Sequence, residues 1–167
     1  VKMNLNIPYM ETDNKLLNDA YRIAAGDIVG NIVYYQNGLL TEEKPCMIAG
    51  LDYNTPWTRD TAINIWNALS ILSPEVSKNT LLAVLEEEEG NIYIGGQYWD
   101  SIIWMIGARE YCRFHKDDNF YRLAFKAGRN SVHRLEEDEF DEEDGLFRGP
   151  AVYGDGIAAY PDKYSKC

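Results

Sequence analysis

Apolar positions recur at three- and four-residue intervals through most of the chain, the period of helices that bury one side. Leu16, Leu17, Ala20 and Ala24 follow Asp13, a residue suited to an N-cap, and predict a first helix reaching about Tyr35. Residues 36–56 then form a long connection, and long loops within compact domains are often functional. A second helix follows Pro56 with Ala62, Ile65, Trp66, Leu69 and Leu72 on its inner face. Ser73 and Pro74 are suited to cap and open a third, which carries Leu81, Val84 and Leu85 inward and stops at Gly90. The stretch "NIYIGG" is the one short segment with extended character.

A fourth helix is expected from Asp100 to His115, with Trp99, Ile102, Ile103 and Ile106 on one side. The fifth, capped by Asp118, presents Tyr121, Ala124, Phe125, Gly128, Val132 and Leu135 as its apolar stripe. These elements predict an all-α chain of successive antiparallel helical hairpins, with residues 1–167 as a single domain. No fixed-period repeat marks a solenoid.

The net charge of -11 changes which partners are reasonable. Nucleic acid and anionic membranes demand clustered Lys and Arg, so neither is expected, and a neutral or cationic ligand fits better. The acidic runs at 86–89 and 136–144 read as solvated helix ends, because they lack the alternating ligands and glycine of a calcium loop. Cys46, Cys112 and Cys167 have no paired spacing and His115 and His133 stand apart, which indicates neither a disulfide framework nor a zinc site. Both histidines suit surface or helix-end roles. No apolar run is long enough to span a membrane and the first residues do not resemble a signal peptide, so the compartment stays open.

Candidate chemistry concentrates in three loops. Those before the second, fourth and presumed sixth helices are rich in rings, glycines and acids: "PWTRD", "GGQYWD" and "FRGPAVYGDG". In an up-and-down array the starts of alternate helices share one rim, so these loops should meet on one face. Trp57, Tyr98, Trp99 and Tyr153 supply flat apolar plates, while Arg59, Asp60, Gln97, Asp100, Arg148 and Asp155 supply directed hydrogen bonds. A sugar needs that pairing, since its C–H faces stack on rings and its hydroxyls seek charged or amide partners. Taken singly, each residue also has a plain role: a surface ion pair for Arg59 and Asp60, a cap for Asp100, core for Trp99, a turn for "GDG".

The segment "AGLDYNTPWTRDTAINIWNAL" resembles the opening of the second helix in (α/α)6-barrel glycosidases of the glucoamylase and bacterial glycogen-debranching type. The resemblance implies that Trp57, Arg59 and Asp60 bind the terminal sugar and that "GGQYWD" is a second sugar-contacting loop. By position rather than by letters, Asp155 takes the place of the general acid, where glucoamylases carry Glu and debranching-type relatives Asp. Asp155 between two glycines and beside Tyr153 suits a protonated carboxyl in a ring-lined pocket, whereas Asp60 and Asp100 in first helical turns suit the ionised form. The chain would then make about half of such a toroid, as a fragment with exposed apolar faces that associate with the rest of the barrel or with another copy. The resemblance places the general base in the other half, so no residue of this chain is its candidate. The implied reaction is hydrolysis of α-linked glucosides or related oligosaccharides with inversion, by two carboxyl groups about 6.5–9.5 Å apart around a water and without metal or redox cofactor. Two alternatives are a non-catalytic sugar-binding helical module and a scaffold with no ligand.

Overall fold

The computed structural model describes residues 7–50, 52–96 and 99–147. Over these residues the chain is mainly helical with three antiparallel strand pairs. Helix α1 (Lys15–Gly30) leads into strands β1 (Ile32–Tyr35) and β2 (Lys44–Met47). A helical rod follows, made of α2 (Thr58–Asn64), a π-helical turn (Ile65–Leu69) and α3 (Ser70–Leu72). Helix α4 (Pro74–Ala83) precedes the hairpin β3 (Leu85–Glu88) and β4 (Asn91–Ile94), and helices α5 (Asp100–Phe114) and α6 (Asp118–Glu139) precede the small pair β5 (Phe140–Asp141) and β6 (Leu146–Phe147). No helix among the described residues is long and apolar enough to cross a membrane.

Several expected boundaries move. The first helix is capped by Asn14 rather than Asp13, its side chain accepting from the Leu16 and Leu17 amides, and it stops at Gly30 instead of Tyr35. Residues 32–35 pair with 44–47 in register Ile32↔Met47, so the long connection contains a strand. Buried contacts decide this: Ile32 and Met47 enter the core, whereas α1 buries none of its residues. Leu16 and Leu17 are exposed, and Ile28 is where α1 packs against the core.

The run at 86–89 is a strand and turn rather than a helix end. Glu89 and Gly90 both have positive φ, 50° and 78°, which is the two-residue hairpin turn that the sheet's twist favours. The pairing Leu85↔Ile94 buries the open end of the ladder, while Glu88↔Asn91 at the turn end stays exposed, and α6 clamps the hairpin. The Asn130 side chain donates to the Ile92 carbonyl at 3.0 Å, the Ile94 amide donates to Ser131 Oγ at 2.8 Å, and the Arg134 guanidinium lies 3.5 Å over the Tyr93 ring while bonded to Glu88. Glutamate favours helix locally, but these tertiary contacts outweigh that preference.

The core joins the rod, α4, α5 and α6 around Trp104, which is fully buried and donates its indole N–H to the Leu81 carbonyl at 3.3 Å. Phe120 stands 6.4 Å from that ring and 5.0 Å from Tyr111. The inward face of α5 is therefore Trp104, Ala108 and Tyr111; Ile102 and Ile106, expected inside, are exposed. On α6 the buried stripe is Phe120, Ala124, Ala127, Gly128 and Ser131, and the expected Tyr121 and Phe125 face outward. Trp66 is also turned out, because Ile65 and Leu69, the first and last residues of the π-helical turn, fill the rod's inner face.

Helix α4 begins as expected, with Pro74 in its first turn and Ser73 Oγ accepting from the Val76 amide. Helix α6 is capped by Asp117, one residue before the expected Asp118, with Oδ1 accepting from the Phe120 amide at 3.0 Å. Asp117 also takes the Lys78 ammonium at 2.6 Å, and these bonds, the lysine's first, hold its carboxyl below the usual range. Such a group stabilises the fold above its unfolded value near 3.9, and that contribution is lost as pH falls through the lower folded value. Asp117→Asn should therefore cost stability at pH 7, with its deficit relative to wild type shrinking below about pH 4; urea midpoints at pH 7 and pH 3 check this.

Candidate functional site

Two of the three expected loops meet. Thr58 Oγ1 in the first turn of α2 donates to the Gly95 carbonyl at 2.8 Å. Gly96 follows with φ +115°, and a Cβ there would stand 2.7 Å from Thr58 Oγ1 and 3.1 Å from the Asp100 Cβ, so only glycine allows the loop to pass between the two helix starts. Farther along, a Cβ on Gly107 would come 2.8 Å from the Ala62 Cα, which means the backbones of α5 and α2 touch at their crossing. At the far end the His115 ring donates from Nε2 to the Ser70 carbonyl at 2.6 Å. Starts, middles and ends thus coincide, and α2 and α5 run in the same direction with their N-termini on one rim.

The rim is built unusually. Helices α1, α4 and α6 are capped by Asn14, Ser73 and Asp117 side chains, whereas α2 and α5 begin on Trp57 and Trp99, neither of which makes a side-chain cap bond. Each has an aspartate in its first turn, Asp60 and Asp100. Trp57 is 40% exposed and open to a ligand, Arg59 and Asp60 are half-buried, and Trp99 is likewise half-buried. Asp100 is only 4% exposed, so its carboxylate lies beneath the rim surface.

Two further rings extend this surface. Tyr53 meets Trp57 edge-on at 6.3 Å, and Phe147 meets Trp99 edge-on at 5.9 Å while contacting Phe140 at 5.1 Å. Neither was singled out by sequence. Tyr53 lay within the quoted "DYNTPW" stretch, and Phe147 immediately precedes Arg148, so the chain arrives beside Trp99 where the third loop starts. Gln97, Tyr98, Arg148, Tyr153 and the proposed acid Asp155 lie outside the described residues.

Other chemistry is quiet. Burial pushes the Cys46 thiol up to about 12 and raises that of Cys112, so neither is a poised nucleophile. Burial with the nearby Asp117 carboxylate lifts Tyr111 to about 12. Behind the Gly95–Gly96 turn lies a cavity of about 210 Å³, where Arg134 is already bonded to Glu88 and stacked on Tyr93. His115 closes a helix end and His133 is exposed beside Glu136, the roles expected of them.

Comparisons with protein-family models, curated proteins and solved structures gave no match. The site therefore rests on its own geometry.

Proposed function

We propose that the α2/α5 rim binds a carbohydrate and that the chain is part of an (α/α)6 glycoside hydrolase acting on α-linked glucosides or related oligosaccharides. The observation that carries this reading is that the helix start bearing Trp57, Arg59 and Asp60 is joined, through Thr58 and the Gly95–Gly96 turn, to the parallel helix start bearing Trp99 and Asp100. Trp57 and Trp99 serve as stacking plates, with Tyr53 and Phe147 supporting them at their edges. Arg59 donates to sugar hydroxyls and Asp60 accepts from them, bonds strengthened by charge. Asp100 lies buried beneath the plates, against the turn through which Gly96 passes.

In this reading Gln97, Tyr98, Arg148 and Tyr153 complete the wall, and Asp155 protonates the glycosidic oxygen. A carboxylate across the site activates the water that attacks with inversion. The outward-facing Ile63, Trp66, Ile102 and Ile106 support membership in a larger toroid, since apolar side chains of α2 and α5 remain uncovered below the rim.

Calorimetric titration with a maltooligosaccharide tests the reading. Arg59→Ala should weaken binding about 10- to 100-fold, the worth of hydrogen bonds to a charged group. Equal affinity in the variant and wild type would remove Arg59 from the site, and no binding by wild type would leave the scaffold reading.

A further inference from the structure

The outward face of α6 carries an uneven charge, on which His133 and Glu136 form an exposed pair at 3.1 Å. Arg122, Lys126, Arg129, His133, Glu136 and Glu137 follow one another at helical spacing and lie on one side of a 22-residue helix. The first half of that side is cationic and is edged by Tyr121 and Phe125, 58% and 64% exposed. Its second half is anionic and opens into a groove of about 690 Å³ lined by His133, Glu136, Glu137, Phe140, Glu142 and Phe147. Cations with exposed rings thus stand at one end, and carboxylates with a ring-lined groove at the other.

We propose that this face pairs with the same face of a second copy, the two α6 helices running antiparallel. A two-fold axis crossing the helix between Arg129 and His133 sets Arg122 and Lys126 of each copy against Glu136 and Glu137 of the other. The same operation carries Tyr121 and Phe125 toward the partner's Phe140 groove. Only the antiparallel arrangement is complementary, because a parallel one would oppose like charges along the whole face. Such an isologous contact closes on itself and stops at a dimer. A helix of about 33 Å length forms a small interface, so the dimer is weak and salt-sensitive. It uses the side of the molecule built by α6 and reaches the rim only at Phe147, and it does not depend on the rim binding sugar.

Sedimentation velocity over a concentration series tests the pairing. Wild type should dimerise at low salt and dissociate at high salt. The charge-reversed variants R122E/K126E and E136K/E137K, each checked for native circular dichroism, should each self-associate at least tenfold more weakly. Mixed one to one, they should form a heterodimer, since one then presents carboxylates at both ends of the face and the other cations at both ends. A wild type that stays monomeric at hundreds of micromolar overturns the proposal, as does dimerisation that neither variant changes or a mixture that fails to pair.

Discussion

Gly107→Val should destabilise the protein by about 3 kcal/mol, the upper part of the range for overpacking a tight contact. The added Cβ would sit 2.8 Å from the Ala62 Cα and 3.0 Å from its carbonyl oxygen, and backbone cannot swing aside as a flexible side chain can. For a chain of 167 residues this corresponds to a melting temperature lowered by roughly 6–12 °C. A matched control is Gly26→Ala on α1, where an added Cβ meets nothing within 4 Å and helix propensity should raise stability slightly. Thermal melts of the two variants therefore move in opposite directions. Because the crossing also holds the starts of α2 and α5 together, the valine variant should bind sugar more weakly even at temperatures where it remains folded.

The second large effect concerns chemistry. In an intact active enzyme, Asp155→Asn should lower turnover by about 10²–10⁴-fold, the usual contribution of a general acid, while leaving substrate affinity nearly unchanged. An amide keeps the shape but has no acidic proton to transfer to the leaving oxygen. Steady-state kinetics on an aryl glycoside separate this from a binding role: a leaving group that departs without protonation should recover part of the lost rate. Unchanged turnover would remove Asp155 from the mechanism.

Helix existence was legible because amphipathic spacing and caps are local signals. Ser73 with Pro74 announced α4, and "NIYI" announced β4, in both cases from the residues that make the element. Faces were less legible. Isoleucines at 102 and 106 look like core in isolation, yet Trp104 fills the space between α5, α4 and α6 and leaves the isoleucines outside. The strand 85–88 could not be read from four consecutive glutamates, since its cause lies on α6, in Asn130, Ser131 and Arg134.

The rim was legible for a different reason. Tryptophan at two helix starts, each followed by an aspartate within the first turn, exceeds what a cap requires, and that excess is visible in the letters "PWTRD" and "YWD". What joins them was not visible. It depends on Thr58 bonding Gly95 and on Gly96 passing at positive φ between the helices, contacts that pair residues 37 positions apart. The supporting rings Tyr53 and Phe147 were missed because edge contacts between aromatics carry no sequence period.

The most direct test of the sugar site is tryptophan fluorescence during titration with a maltooligosaccharide. The chain has four tryptophans, of which Trp57 and Trp99 lie at the rim, Trp66 faces outward lower on the rod and Trp104 is sealed in the core. Wild type should give a saturable change, and Trp57→Phe combined with Trp99→Phe should abolish it while the fold is kept. No change in wild type, or a change that survives in the double variant, would contradict a carbohydrate site at the starts of α2 and α5.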